Sequence, residues 1–463
     1  MTYRSISARV RSVLARALSF FDSRRGLVVA VAFLAAISAL LRGLHITFPP
    51  ERIFDEVYSP AFAWKILQGE AFFDVHPLLA QLPHTLGLLL FGDTPFGWRF
   101  SAWLWGTLFI VGIGVLGSAL TGRRLVGVLA SLLATLDIAY FVYGRTGLPD
   151  MFLLMTAVWA LAFFFLSCRA TSRGRALLFA LLSGMFFGNF VATKWFGIGG
   201  IALIGLWLLL ASIRPEVLPL PKVSPWLYPV MFILVPVTTY LLWTVPLVGV
   251  PERIPALVGE SFFEGGCAFG RQPATTAAPT SWLGRVVHWH CTVWNYHAHL
   301  TATHPYGSPW WSWPLLKHPV LFYLDSATKP ERRISATGNP AIWWVSFALV
   351  WFTVLLLVVR INRRRPKNLS EALRAFTPDL IDLWLVIGVF LFWLPWAFIT
   401  RVTFHYHYFL SFTFSLLLLA RWLARLAERP TLRPLMVGYL GLVLVSFLAL
   451  YPIATATRAP WLR

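Results

Sequence analysis

In the stretch RIFDEVYSPAFAWKILQGEAFFDVHPLLAQL, residues 52–82, the adjacent carboxylates Asp55 and Glu56 stand among apolar and aromatic residues, with Glu70, Asp74 and His76 close behind. A carboxylate beside membrane-grade sequence carries a desolvation penalty unless something pairs with it or uses it. An ordinary solvated loop pair is the plain alternative. Adjacent side chains diverge, so these two cannot flank one bond as the acid and nucleophile of a glycosidase do. One of them acting as a lone general base is the more economical chemistry. A lone base suffices where the leaving group needs no proton, and the phosphate ester of an activated sugar is such a group. It needs cations instead. The candidates are Arg42, Arg99, Arg145, Lys194 and Arg401, the last beside His405 and His407. Any one of them could be a side chain snorkelling to the membrane edge. Five at one level, opposite a carboxylate pair, point to an anion.

Five histidines, His288, His290, His297, His299 and His304, crowd HWHCTVWNYHAHLTATHPYGS at 288–308. The H-x-H spacing is not a strong zinc signature, and no cysteine or acid completes a set, so these residues read as hydrogen-bonding or acceptor-binding groups, His304 included, and no metal is expected. Trp310, Trp311 and Trp313 suit an interfacial belt or a platform for sugar or peptide. The chain has no G-x-x-x-x-G-K-[ST] loop, which excludes a nucleotide-driven pump of that type.

The elements that must position these groups are transmembrane helices. Of 463 residues, 58% are apolar and 13% charged. Apolar runs long enough to cross a bilayer fall near 27–47, 97–120, 126–143, 150–168, 176–192, 197–213, 226–248, 341–361, 381–399, 408–420 and 434–453, about eleven spans in an all-α polytopic membrane protein. The net charge of +20 follows the membrane and not nucleic acid. Alternate connections carry the basic clusters: Arg4 to Arg25, Arg123 and Arg124, Arg169 to Arg175, Arg214 and Lys222, RINRRRPK at 360–367, and Arg421 to Arg433. The positive-inside rule then places the N-terminus in the cytoplasm and the C-terminus outside. The first run reads as an uncleaved anchor. Residues 1–26 form a basic cytoplasmic segment and 27–463 one transmembrane domain. Its loops at 48–96 and 249–340, the turn at 144–149, the tip at 193–196 and the segment 400–407 share one external face. The 48–96 loop suits interfacial helices, with 77–92 as a horizontal or re-entrant one. Cys267 and Cys291 share the long loop and could pair in an oxidising compartment.

Several stretches, in order, resemble the protein O-mannosyltransferases, glycosyltransferase family 39 of the GT-C membrane superfamily. They are FDEVYS at 54–59, FFDVHP at 72–77, WRFSA at 98–102, GRTGLPDMFL at 144–153, TKWFGI at 193–198, HPYGSPWWSWPL at 304–315, GNPAIWW at 338–344 and FHYHYFLS at 404–411. The resemblance implies a GT-C fold of eleven spans in the cell's inner membrane, with an external active site. It implies transfer of mannose from a polyprenyl phosphate to a serine or threonine hydroxyl of a translocated protein, with inversion. Asp55 is then the base and Glu56 orients acceptor or sugar. Arg42 and Arg99 match family arginines assigned to the donor phosphate, with Arg145, Lys194, His405 and His407 as further phosphate candidates. Asp74 and His76 shape the acceptor groove, joined by His304. No cofactor is implied, although the acid pair is where a divalent ion could sit.

Two departures stand out. The family's DVHPPLGKL reads DVHPLLAQL here, so Gln81 replaces a lysine. The long loop also has no room for the MIR domain of eukaryotic members, as in a bacterial form. A GT-C transferase acting on a lipid or polysaccharide, like the aminoarabinose transferases, is the near alternative. A transporter or flippase is the distant one, since its charges belong at the midplane.

Overall fold

The computed structural model describes residues 3–248 except 71 and 73, and residues 282–457 except 329, 330, 365, 367–370 and 372–378. The helices of the first half are α1 Tyr3–Phe21, α2 Arg24–Gly43, α3 Ser59–Gln68, α4 Leu82–Phe91, α5 Pro95–Thr121, α6 Arg124–Thr135, α7 Ile138–Tyr143, α8 Asp150–Arg169, α9 Arg173–Thr193 and α10 Ile198–Ile213. A short helix α11, Leu227–Pro229, runs through a π turn into α12, Val235–Val248. The second half holds α13 Trp282–His299, α14 Pro340–Arg364, α15 Leu380–Trp393, α16 Phe409–Glu428 and α17 Arg433–Thr455. Among the described residues, 10 helices are long and apolar enough to cross a membrane, and the chain is a multi-pass membrane protein. Helices α8 and α16 are largely buried in the bundle, whereas α12 and α17 turn most of their surface outward.

The run expected as one span at 126–143 is divided. Helix α6 ends at Thr135 and α7 begins at Ile138, with Asp137 between them. Backbone freed inside a membrane bundle must find partners within the protein, and Asp137 supplies them. Its Oδ1 accepts from Tyr140 N at 2.9 Å, capping α7. Its Oδ2 accepts from Asn339 N at 3.1 Å and Trp343 Nε1 at 2.7 Å, both at the start of α14. Asn339 Nδ2 in turn donates to the carbonyls of Leu136 and Val443. One acid therefore ties α6, α7, α14 and α17 together and aims the turn after α7.

The 48–96 loop folds into α3 and α4. Pro83 sits in the first turn of α4, where a missing N–H is harmless. Helix α4 lies against the start of α5 so closely that a Cβ on Gly87 would come 2.1 Å from the Gly97 carbonyl oxygen. The 249–340 loop is described from residue 282 onward, so the pairing of Cys267 with Cys291 lies outside the described residues. Helix α13 docks by its histidines. His290 hydrogen-bonds Tyr240 and stacks on Trp195 at 5.5 Å, and the His297 ring nitrogen meets the Val75 carbonyl at 2.8 Å. An antiparallel hairpin, β1 Leu321–Asp325 with β2 Arg332–Ser335, adds strands to a fold expected to be all helix.

At the opposite end of the bundle Asp22 accepts from Leu125 N at 2.9 Å and Arg123 Nε at 3.2 Å, and Arg123 also pairs with Glu428. Removing the acid at the helix break leaves buried donors without acceptors, at about 1–3 kcal/mol each. Asp137→Ala is expected to lower the thermal unfolding midpoint of the detergent-purified protein well below that of Asp137→Asn, which keeps acceptor capacity.

Candidate active site

Glu56 and Arg99 are fully buried, the first in the turn Phe54–Val57 and the second near the start of α5. Arg99 Nε and Nη2 donate to Glu56 Oε1 and Oε2, both at 2.8 Å, in a two-pronged pair. The remaining guanidinium hydrogens go to the carbonyls of Ile46 at 2.9 Å, Pro49 at 2.8 Å and Glu51 at 3.1 Å. A guanidinium has five N–H donors, so Arg99 has none left for a phosphate. Glu56 is as fully used, accepting also from Gly147 N at 2.7 Å and Ile53 N at 3.1 Å. Gly147 makes that approach because it has no Cβ, which would fall 2.6 Å from the Trp98 carbonyl oxygen.

Asp55 points the other way. Its carboxylate is mostly buried and makes no hydrogen bond among the described residues. Burial first, then the charge of Asp150, push it up to about 6, against the pull of Lys194. Lys194 Nζ donates to Asp150 Oδ1 at 2.7 Å and lies 5.3 Å from the centre of the Tyr406 ring. Phe54, just before the acid, holds a left-handed backbone with φ +49°, a conformation a bulky residue keeps only when its surroundings enforce it. The enforcement is aromatic: Phe322 of the hairpin at 4.9 Å, His304 at 6.0 Å and Phe404 at 6.3 Å.

Around Asp55 and Lys194 gather Asp74, His76, His297, Arg401, Tyr406 and His407. Asp74 accepts from Gln81 Nε2 at 2.6 Å and His76 N at 3.0 Å, and burial raises its carboxyl to about 6 despite them. Gln81, which stands where the family has a lysine, thus holds Asp74. His76 stacks on His297 at 5.8 Å, and burial with Lys194, His297 and Arg401 nearby holds it well below the usual histidine range. Arg401 makes no hydrogen bond or ion pair among the described residues, so its charge faces the cluster uncommitted. His407 is pinned through Nδ1 to the Phe404 backbone and packs on Trp396 at 4.1 Å.

Other expected residues lie apart. Arg42 is buried, packed against Gly106 and Gly144, with one 3.4 Å bond to the Tyr140 carbonyl. Arg145 donates to the His45 carbonyl at 2.8 Å behind the Glu56–Arg99 pair. His405 stacks on Trp343 at 4.6 Å in the core, with neither ring nitrogen bonded among the described residues. His304 is exposed, its Nδ1 accepting from Tyr306 N at 3.1 Å. Asp150 and Tyr406 were not singled out from sequence. Asp150 stands in the quoted GRTGLPDMFL stretch, and Tyr406 sits between the two histidines that were named. Among the described residues, no group of three or more His, Cys, Asp or Glu could hold a metal ion.

Breaking a buried pair by removing one partner costs about 3–5 kcal/mol. Glu56→Ala is expected to lose stability on that scale, read as a lower unfolding midpoint and reduced recovery from membranes. Glu56→Gln, which keeps two polar atoms, is expected to fall between it and the wild type.

Residues 32–95 and 75–243 match family models described as dolichyl-phosphate-mannose-protein mannosyltransferase, and residues 282–461 match the C-terminal four-span region of protein O-mannosyltransferase. The chain is 25% identical to a polyprenol-phosphate-mannose–protein mannosyltransferase of Mycolicibacterium smegmatis over 92% of its own length and 88% of the relative's. It is 26% identical to a protein of the same name from Mycobacterium tuberculosis, over 94% and 89%. Among solved structures, it is similar to the S. cerevisiae Pmt1–Pmt2 complex bound to the sugar donor, with a TM-score of 0.76 at 15% identity, covering 96% of this chain and 92% of that one. ArnT of Cupriavidus metallidurans follows at 0.51 and 13%, covering 92% and 76%. The matches extend over nearly the whole chain, and the chain belongs to the protein O-mannosyltransferase family of GT-C membrane glycosyltransferases.

Proposed function

We propose that the chain transfers mannose from a polyprenyl phosphate to serine or threonine hydroxyls of translocated proteins, with Asp55 as the general base. The observation that carries this reading is the pairing of opposites in one turn: Glu56 saturated and built in, Asp55 unbonded, mostly buried and raised to about 6. Asp55 takes the proton of the acceptor hydroxyl as its oxygen attacks the anomeric carbon. The bond from that carbon to the phosphate oxygen breaks, and the phosphate leaves with the electron pair. A single displacement inverts the anomeric centre. Negative charge grows on the leaving phosphate, and fixed cations lower the barrier there. Lys194 and Arg401 supply them, with His407 at their side. Arg99 acts through Glu56 as a positioning residue, and Arg42, Arg145 and His405 support the scaffold. Asp74, His76 and His304 line the acceptor side. The fold alone would serve a lipid acceptor as well. The relatives' shared name favours a protein one.

The same reading sets the membrane orientation. Asp55 lies at one end of the bundle, and Asp22, Arg123 and Glu428 meet at the other. With the basic end in the cytoplasm, the N-terminus is cytoplasmic and the site opens on the outer face of the inner membrane.

The test is purified protein with radiolabelled polyprenyl phosphomannose and a Ser/Thr-rich peptide. Label in the peptide supports the reading; donor consumption without peptide label moves the acceptor to a lipid or glycan. Asp55→Asn is expected to lose about 10²–10⁴-fold in turnover while remaining folded. The rate is expected to rise with pH through about 6 and level off above it, because the base must be ionised and burial has raised its pKa. Lys194 lowers that pKa, so Lys194→Met is expected to move the acid limb to higher pH.

A further inference from the structure

Five arginines, Arg123, Arg360, Arg421, Arg425 and Arg429, line a cavity of about 540 Å³. It lies at the end of the bundle away from Asp55. Helix α5 connects the two regions, from Arg99 near its start to Arg123 just past its end, and its 27 residues cover about 40 Å at ~1.5 Å each. The cavity is therefore separate from the transfer site.

Its acids do not neutralise it. Asp382, buried in the first turn of α15, accepts from Arg421 Nε and Arg425 Nη1, both at 2.6 Å. Asp379 accepts from Arg425 Nη2 at 3.3 Å and pairs with Arg360, while Glu428 pairs with Arg123. Asp22 also pairs with Arg123, so five cations meet four anions and a surplus of one positive charge remains. Arg429 makes no side-chain hydrogen bond or ion pair among the described residues. Trp422 also lines the cavity, its buried Nε1 without an acceptor among the described residues and its ring 5.1 Å from the Arg425 guanidinium carbon.

Surplus guanidinium charge beside an orphaned N–H calls for an anion rich in acceptor oxygens, which is phosphate chemistry. The rest of the wall is apolar but for Thr353. Val126, Leu356, Leu357 and Leu432 come from segments at the edge of the spanning helices, so the site combines guanidinium charge with apolar side chains. We infer that this cavity binds the phosphate headgroup of an anionic membrane lipid, its acyl chains running along Val126 and Leu357. The inference stands independently of the transferase reading.

The experiment uses the full chain in non-ionic detergent, titrated with dioleoylphosphatidylglycerol or dioleoylphosphatidylcholine and read by native mass spectrometry. Phosphatidylglycerol is expected to bind at least about tenfold more tightly than phosphatidylcholine, a difference near 1.4 kcal/mol. The double variant Arg360→Gln/Arg429→Gln is expected to abolish that preference. Trp422→Phe keeps the packing, removes only the N–H, and is expected to weaken phosphatidylglycerol by a smaller factor, so the inference stays testable if the double variant does not fold. Equal binding of the two lipids, or wild-type preference in both variants, overturns it. Inorganic phosphate or pyrophosphate binding in place of the lipid also overturns it, and assigns the cavity to a soluble anion.

Discussion

The active end of the molecule hangs on one ion pair. Arg99 and Glu56 bring charge out of water, a penalty that only complete hydrogen bonding offsets, and here every donor and both carboxylate oxygens are engaged. The partners belong to the chain after α2, the turn at Phe54–Val57, the start of α5 and the turn before α8. One ion pair thus fixes four segments against one another. Two neighbouring acids then take opposite parts, because adjacent side chains leave the backbone in different directions. Glu56 is taken up by the ion pair, and Asp55 is left without a hydrogen bond among the described residues.

The cations sort by the same criterion. Arg99 is saturated and Arg145 has a backbone acceptor, so both act on the scaffold. Lys194 shares its charge with Asp150, a balance that tempers both the basicity of Asp55 and the local field. Arg401 is left uncommitted among the described residues. Under the proposed function, a phosphate meets charge already in place there, with little reorganisation to perform.

Most of the architecture was legible in the sequence because lipid leaves the backbone few choices: long apolar runs must be helices. Span edges at 150–168 and 434–453 agree with Asp150–Arg169 and Arg433–Thr455 to within a few residues. The break at Asp137 was not legible, since one acid inside an apolar run looks like a blemish until its partners at Asn339 and Trp343 are known. The hairpin escaped for a similar reason, being two short strands in a long irregular loop. At the site, residue types were readable, but hydrogen-bond saturation was not. Arg99 and Arg401 look alike in one dimension and differ wholly in what they have left to offer. Gln81 is the converse case: a departure from the family pattern turns out to hold Asp74.

Phe54 ties the site to the order in which the chain is made. Its left-handed backbone is held by Phe322, His304 and Phe404, residues synthesised some 250 to 350 positions later. Asp55 comes well before its clamp of aromatic neighbours, which arrives only with the hairpin and the segment leading into α16. A nascent chain emerging from the ribosome therefore carries Asp55 long before the contacts that hold its turn can form, and the geometry of that turn is acquired only once the segment leading into α16 has been made.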